Sequence, residues 1–164
     1  MRGSLFQGES VLSSGVQAPE FDVQLHTGEI FRIRDIRGKR HLALFFYPKD
    51  FTYGCTKEVC GFRNHFDELS ALGAVIIGVS RDPLESHASF ARWHALPFSL
   101  ASDPDLHLAR MYDVVGLGGL WLKRVTYVID KELVIRGVLH HEMLVDAHWQ
   151  GTIELLKTLN GPST

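Results

Sequence analysis

The sequence predicts an α/β domain with a central mixed β-sheet flanked by helices. Two almost unbroken apolar runs, residues 41–47 and 74–79, have the composition of strands that are buried on both faces. Between them, apolar residues recur at spacings of three and four over residues 55–72, which indicates an amphipathic helix. Strands that alternate with helices of this length are typical of α/β folds, although the pattern alone does not distinguish one three-layer α/β fold from another.

The elements of the first half follow from their boundary residues. Residues 21–25 and 30–33 flank a short turn that contains a glycine, which predicts a β-hairpin. Pro48 ends the strand at residues 41–47, and a loop leads to the helix, for which Thr52 or Gly54 is the expected N-cap. Gly73 stands where a glycine commonly closes a helix.

Two Asp-Pro pairs mark helix starts in the second half. Asp82-Pro83 predicts a helix to about residue 94, and Asp103-Pro104 predicts another to residue 112, each with aspartate as N-cap and proline at the first helical position. The remaining elements are a strand at residues 98–101, an antiparallel edge pair at 125–129 and 134–139, and a closing helix at 146–159. The predicted order is β-β-β-α-β-α-β-α-β-β-α, with right-handed crossovers in its middle part.

Length and composition bound the functions that the chain can have. With 164 residues, 45% hydrophobic and 22% charged, we expect a single domain over residues 16–164, preceded by a flexible arm at residues 1–15 whose first four residues resemble an expression leader. The net charge of -2 argues against nucleic acid and against an anionic membrane surface as partners. The apolar runs are too short to cross a bilayer and no secretory signal is recognisable, so we expect a cytoplasmic protein.

The chain contains only two cysteines, Cys55 and Cys60, which do not make a disulfide scaffold. Close cysteines in a cytosolic chain more often indicate catalysis, redox chemistry or metal binding. Cys55 begins the predicted helix, after a loop that leaves a buried strand, and sites in open α/β sheets form at such strand ends. The unpaired amides and positive dipole end of a helix stabilise a thiolate, so Cys55 is positioned as a nucleophile.

The spacing of the two cysteines predicts a conformational change. Residues five apart on a regular helix are rotated by about 140° and displaced by about 7.5 Å. A disulfide requires Cα atoms roughly 4.4–6.8 Å apart. A bond between Cys55 and Cys60 would therefore require the first turns of the helix to unwind.

The residues around Cys55 resemble a known family. Pro48, Thr52 and Cys55, followed by Thr56 and Glu58, are similar to the active-site signature of the peroxiredoxins. A second cysteine at Cys60 resembles the Q-type subfamily, also called bacterioferritin comigratory proteins. Further similar blocks are residues 45–50, 56–63, 78–80, 96–98, 102–103 and 124–130, so the resemblance extends from about residue 16 to residue 159. It implies a thioredoxin-like fold and a thiol-dependent peroxidase that reduces hydrogen peroxide and organic hydroperoxides.

The resemblance also implies roles for individual residues. Cys55 would be the peroxidatic nucleophile, and Thr52 would hydrogen-bond the thiolate and the peroxide. Arg124 would stabilise the thiolate and hold the peroxide oxygens, a role that suits a rigid guanidinium with several donors. Pro48 would shield the reactive sulfur, and Glu58 would support the arginine.

Cys60 would be the resolving thiol, which condenses with the Cys55 sulfenic acid to an intramolecular disulfide. Thioredoxin or a glutaredoxin-like protein would then reduce that disulfide by exchange. Because this cycle requires no partner subunit, we expect a monomer or a weak homodimer. No cofactor is expected.

Other interpretations are compatible with individual residues. The two cysteines alone would also suit buried structural thiols, a peroxide-responsive redox sensor or a zinc-binding module, whereas a non-peroxidatic disulfide oxidoreductase would need a C-x-x-C pair that the chain lacks. Arg124 alone would suit a surface arginine, and Thr52 a plain N-cap. The histidines near the end, His140, His141 and His148, do not have the spacing of a zinc site, so we expect them to be solvated and no metal to be bound.

Overall fold

The computed structural model of the chain describes residues 11–119 and 121–161. Its strands are β1 (Asp22–Gln24), β2 (Ile30–Arg32), β3 (His41–Phe46), β4 (Ala74–Ser80), β5 (Ser99–Ser102), β6 (Val125–Ile129) and β7 (Ile135–His140). Its α-helices are α1 (Tyr53–Asn64), α2 (Phe66–Ala71), α3 (Leu84–Trp93), α4 (His107–Met111) and α5 (Asp146–Asn160). Short 3-10 helices, which the sequence analysis did not predict, lie at Ile33–Ile36 and Leu117–Gly119.

The central sheet has the strand order β5-β4-β3-β6-β7. Strand β3 is parallel to β4 and antiparallel to β6, and β6 and β7 form the predicted antiparallel pair at one edge. The hairpin of β1 and β2 forms as predicted but is a separate two-stranded sheet. The predicted fold class, a mixed sheet flanked by helices, is therefore confirmed.

Strand β3 is buried on both faces, as its unbroken apolar composition predicts. Leu42, Leu44 and Phe46 point into one hydrophobic core, and Ala43 and Phe45 point into the other. The second core also contains the buried face of α1, so the helix that carries both cysteines lies directly on the central strand.

The predicted helix at residues 55–72 is two helices. α1 begins at Tyr53, two residues earlier than expected, and a break at His65 separates it from α2. Phe62 of α1 stacks on Phe45 of β3 with ring centroids 4.5 Å apart. On another side of α1, Gly61 allows the Trp149 ring to come so close that a Cβ atom at residue 61 would overlap it.

The capping role predicted for Asp82 is wrong, because its carboxylate binds elsewhere, and the helix predicted to start at Asp103-Pro104 begins later than expected. Pro83 is itself the N-cap of α3, and Asp82 instead accepts hydrogen bonds from the Ser80 hydroxyl and the Asp50 amide. α4 begins only at His107. The Asp103 carboxylate reaches across the intervening turn and accepts the amides of residues 108 and 109, so it caps α4 without being adjacent to it.

Of the predicted N-terminal arm, residues 1–10 lie outside the described residues. Residues 11–15 contact the core: the Leu12 amide donates to the Tyr127 hydroxyl at 3.0 Å, and the Gly15 amide donates to the Ile135 carbonyl at 2.7 Å. In the described part of the chain, no helix combines the length and the apolar character needed to span a membrane.

Candidate active site

Cys55 is the third residue of α1 and follows the loop that leaves the end of β3. Its side chain is buried, with 1% of the residue exposed. The first amides of a helix have no partner within the helix, and they bear the positive end of its dipole. Cys55 therefore lies where backbone groups favour a negative charge on sulfur.

Arg124 provides the positive side chain next to this sulfur. It immediately precedes β6, whose first residue pairs with Phe46 at the end of β3, and this pairing brings the arginine to the start of the Cys55 loop. Its Nη1 donates to Cys55 Sγ at 3.4 Å and to Glu58 Oε1 at 2.8 Å. A Cβ atom at Gly54 would lie 3.2 Å from Nη2, so a glycine there allows the close approach.

Glu142, in the segment after β7, also binds Arg124. Arg124 Nε donates to the Glu142 carbonyl at 3.3 Å, and the Arg124 amide donates to the Glu142 carboxylate at 3.0 Å. Burial alone would lower the pKa of Arg124, but its contacts with Glu58 and Cys55 raise that pKa above its ordinary value. The guanidinium is thus a fixed, charged donor in a buried site.

Glu58 lies one helical turn after Cys55 and is fully buried. Burial raises its pKa from 4.5 to about 8, although the charge of Arg124 acts in the opposite direction. The carboxyl therefore keeps its proton far more readily than an exposed glutamate. A proton on Glu58 leaves Oε1 able to accept from Arg124 while the positive charge remains available to the thiolate.

His148 lies next to the Glu58 carboxyl. It is fully buried, its Nδ1 lies 3.4 Å from Glu58 Oε2 and 2.8 Å from the Thr126 hydroxyl, and its Nε2 donates to the His141 carbonyl at 2.8 Å. Burial lowers its pKa to about 4, and the charge of Arg124 adds to that effect, so the ring is neutral. The expectation that this histidine is solvated is wrong, because the first turn of α5 packs it against β6.

Two other predicted site residues, Thr52 and Pro48, lie between the end of β3 and the start of α1. Thr52 is the N-cap residue of α1 and is exposed. Its hydroxyl donates to the Lys49 carbonyl at 2.8 Å and accepts no hydrogen bond from an amide of the helix. Pro48 is half-buried at the start of the same loop. Arg124 thus contacts both Cys55 and Glu58, whereas the Thr52 hydroxyl binds the Lys49 carbonyl.

Cys60 lies in the same helix and is half-buried. Both cysteines are free, and α1 is continuous from Tyr53 to Asn64. The Cys60 Sγ lies 3.7 Å from Nδ1 of His94, which follows α3.

A buried polar cluster anchors the loop before α1. The Asp50 carboxylate accepts from the Tyr47 hydroxyl at 2.6 Å and from Ser86 at 2.8 Å, and His87 Nδ1 lies 2.8 Å from it. Asp50, Asp82 and His87 are close enough to hold a metal ion. The contacting atoms of Asp50 and His87 already bind one another, however, so this cluster is better described as a brace that fixes the loop.

Comparisons with known proteins identify the family of the chain. The AhpC/TSA family model matches residues 14–138. Peroxiredoxin Bcp of Bacillus subtilis is 41% identical over 124 residues, which is 72% of this chain and 78% of that protein. The chain belongs to the AhpC/TSA family of peroxiredoxins.

Solved structures of similar proteins have the same fold. The peroxidoxin BcpB of Mycobacterium tuberculosis is 32% identical with a TM-score of 0.83, over 92% of this chain and 98% of that one. The bacterioferritin comigratory protein of Xanthomonas campestris, solved with trapped intermediates of alkyl peroxide reduction, is 30% identical with a TM-score of 0.79, over 85% and 91%. The Q-type resemblance and the thioredoxin-like fold are therefore confirmed.

As a peroxiredoxin, the chain is a thiol-dependent peroxidase that consumes a peroxide and takes electrons from a thiol reductant. The sequence did not predict that Glu142, His148 and Asp50 belong to this candidate site. A signal existed for His148, because it shares the buried face of α5 with Thr152 and Leu156 at spacings of four. Glu142 and Asp50 act through contacts between distant segments, for which the local pattern holds no signal.

Proposed function

We propose that Cys55 is the peroxidatic cysteine of this peroxidase and that Cys60 resolves its oxidised form. The observation that carries the proposal is the contact of 3.4 Å between Arg124 Nη1 and Cys55 Sγ at a buried helix N-terminus. A thiolate is the reactive form of cysteine, and both the guanidinium and the helix amides favour it.

In the first step, the Cys55 thiolate attacks one oxygen of the peroxide. A bond forms between sulfur and that oxygen, the O–O bond breaks, and the second oxygen leaves as water or alcohol with the proton that the peroxide brought. Cys55 becomes a sulfenic acid once a proton is taken up from solvent. The donors of Arg124 stabilise the negative charge that moves from sulfur to the leaving oxygen.

The neighbouring residues have supporting roles in this proposal. Glu58 orients Arg124 through the contact of 2.8 Å, and Pro48 limits access of solvent to the sulfur. Thr52 joins the site when its hydroxyl leaves the Lys49 carbonyl and turns toward the bound peroxide. That movement is a rotation of one side chain on the loop that Asp50 braces.

In the second step, Cys60 attacks the Cys55 sulfur, the S–S bond forms and water leaves. Because both cysteines lie on the continuous helix α1, the turns between them must unwind first. A dithiol reductant, thioredoxin or a glutaredoxin-like protein, then regenerates both thiols by exchange. This intramolecular cycle suits a monomer or a weak homodimer, and a cytoplasmic location suits a chain with only two redox cysteines.

Hydrogen peroxide and organic hydroperoxides are the proposed substrates. Support for the organic class comes from exposed apolar side chains on the two segments that adjoin the site: Tyr53, at the start of α1, is 86% exposed, and Met143, next to Glu142, is 89% exposed. The Xanthomonas relative with trapped intermediates of alkyl peroxide reduction supports the same class.

The test is peroxide consumption with thioredoxin, thioredoxin reductase and NADPH by wild type, Cys55→Ser and Cys60→Ser. We expect wild type to turn over, Cys55→Ser to be inactive, and Cys60→Ser to stop after about one equivalent of peroxide. Full activity of Cys55→Ser would contradict the proposal. If wild type also stops after one equivalent, the proposed reductant is wrong and the peroxide chemistry stands.

A further inference from the structure

A histidine, His94, lies beside the proposed resolving cysteine. Cys60 Sγ lies 3.7 Å from Nδ1 of His94, and both residues are half-buried between α1 and the end of α3. At that distance a thiol can donate its hydrogen to a ring nitrogen. The pair therefore has the composition of a thiol and its base.

His94 is held in this orientation by three contacts. Its amide donates to the Phe90 carbonyl at 3.1 Å, and its ring packs edge-on against the Phe90 ring at a centroid distance of 4.9 Å. Its carbonyl accepts from Arg63 Nη1 at 2.9 Å. Arg63 lies three residues after Cys60 on α1. This helix therefore contacts the His94 carbonyl through Arg63 and the His94 ring through Cys60.

The surroundings keep the imidazole neutral. Burial lowers the pKa of His94, and the charge of Arg63 lowers it further. Arg63 faces it from α1, and on α3 the nearest charged residue in sequence is Arg92, which is exposed. A neutral ring with its hydrogen on Nε2 presents the lone pair of Nδ1 to the Cys60 thiol.

We propose that His94 is the general base of the resolving step, taking the proton of Cys60 as that thiol attacks the Cys55 sulfenic acid. The thiolate attacks the Cys55 sulfur, the S–S bond forms and the S–O bond breaks. The departing hydroxide takes the proton from the His94 imidazolium and leaves as water, so the base is neutral again and no other reactant is consumed. This inference rests on the proposed roles of Cys55 and Cys60.

The positions of the contacts are compatible with the unwinding that the disulfide requires. The turns that must open lie between Cys55 and Cys60, whereas Arg63 lies beyond them toward the end of α1. The bond from Arg63 to His94 can therefore persist while the first turns open. The base then remains next to Cys60 when Cys55 approaches.

The test follows disulfide formation after one equivalent of peroxide, by rapid acid quench, alkylation of free thiols and mass spectrometry of the whole protein. His94→Asn is the variant, because the asparagine oxygen can stand near the position of Nδ1 and accept a hydrogen bond but cannot take the proton. His107→Asn, an exposed histidine of α4, is the matched control. At neutral pH we expect His94→Asn to form the disulfide about a hundredfold more slowly than wild type, while its sulfenic acid accumulates.

The pH profile distinguishes a base from a structural contact. In wild type the rate of disulfide formation should fall at low pH as His94 becomes protonated, and His94→Asn should lack that step. Arg63→Gln should move the step to higher pH, because it removes the positive charge that disfavours the imidazolium. This second variant tests the inference even if His94→Asn folds poorly.

The outcomes separate this inference from the proposed function. Equal rates of disulfide formation in wild type and His94→Asn, with the same pH profile, would overturn the role of His94 alone. If wild type forms no bond between Cys55 and Cys60, the proposed resolving step and this inference both fail.

Discussion

Replacing Glu58 by glutamine should remove a pH dependence that the buried carboxyl imposes on the stability of the fold. In the folded chain the pKa of Glu58 is raised from 4.5 to about 8, chiefly by burial. Between pH 4.5 and about pH 8, Glu58 therefore keeps its proton in the folded state but has released it in the unfolded state. The stabilising contribution of this group is therefore fully present below about pH 4.5 and is lost as the pH rises through about 8.

The size of the effect follows from the width of that interval. Each pH unit changes the free energy of unfolding by roughly 1.4 kcal/mol for one proton, so the whole interval amounts to on the order of 5 kcal/mol. A glutamine has the shape of the neutral carboxyl and does not titrate. Glu58→Gln should therefore come within about 1 kcal/mol of wild type at pH 5 and exceed its stability by several kcal/mol, at most about 5, at pH 9.

Equilibrium unfolding in urea, with both cysteines kept reduced, measures this difference from pH 5 to pH 9. Glu154→Gln removes the same charge from an exposed position on α5 and is the matched control. Groups other than Glu58 that titrate alike in all three proteins cancel in the comparison. If Glu58→Gln is less stable than wild type by the same amount at every pH, Glu58 is ionised throughout and the pairing with Arg124 outweighs its burial.

Three further changes test other parts of the site. Gly54→Ala places a Cβ atom 3.2 Å from Arg124 Nη2, so we expect peroxide reduction to slow by about tenfold while the melting temperature changes little; an unchanged rate would show that the arginine can shift without loss. Asp50→Ala removes the acceptor of the Tyr47 and Ser86 hydroxyls and the partner of His87 Nδ1, so it should lower the free energy of unfolding by about 1–3 kcal/mol in urea titration; an unchanged free energy of unfolding would mean that the cluster does not brace the loop. Oxidation of wild type by one equivalent of peroxide should reduce the helical signal in far-UV circular dichroism, since α1 must unwind. The Cys60→Ser variant, which cannot form the disulfide, should keep its helical signal. Equal spectra for oxidised and reduced wild type would contradict the unwinding.

The sequence predicted the parts of the site whose residues lie close to one another along the chain. Cys55 and Glu58 share one face of α1 because of their spacing, and the apolar composition of residues 41–47 predicts the central strand. Arg124 lies 66 residues from Glu58, so only the family resemblance connected the two before the structure placed them 2.8 Å apart. The pairing of β3 with β6 produces that contact, and a strand register of this kind is not encoded in the spacing of any short motif.

The errors of the sequence analysis have a common physical origin. Asp82 was assigned as an N-cap on local grounds, yet its carboxylate binds the distant Asp50 amide instead of its own helix. Likewise His148, expected to be solvated, is drawn into the core by Thr126 and Glu58. In each case a polar side chain followed a tertiary hydrogen bond rather than the preference of its own segment.

The central claim, that Cys55 attacks the peroxide and Cys60 resolves the product, is tested most directly by the mass of the intact protein after one equivalent of peroxide. Wild type should lose the mass of two hydrogen atoms, with Cys55 and Cys60 joined in one peptide pair after digestion. Cys60→Ser should instead gain the mass of one oxygen atom, located on Cys55 by fragmentation. An oxygen on Cys60 in the Cys55→Ser variant, formed as fast as the oxidation of wild type, would contradict the account.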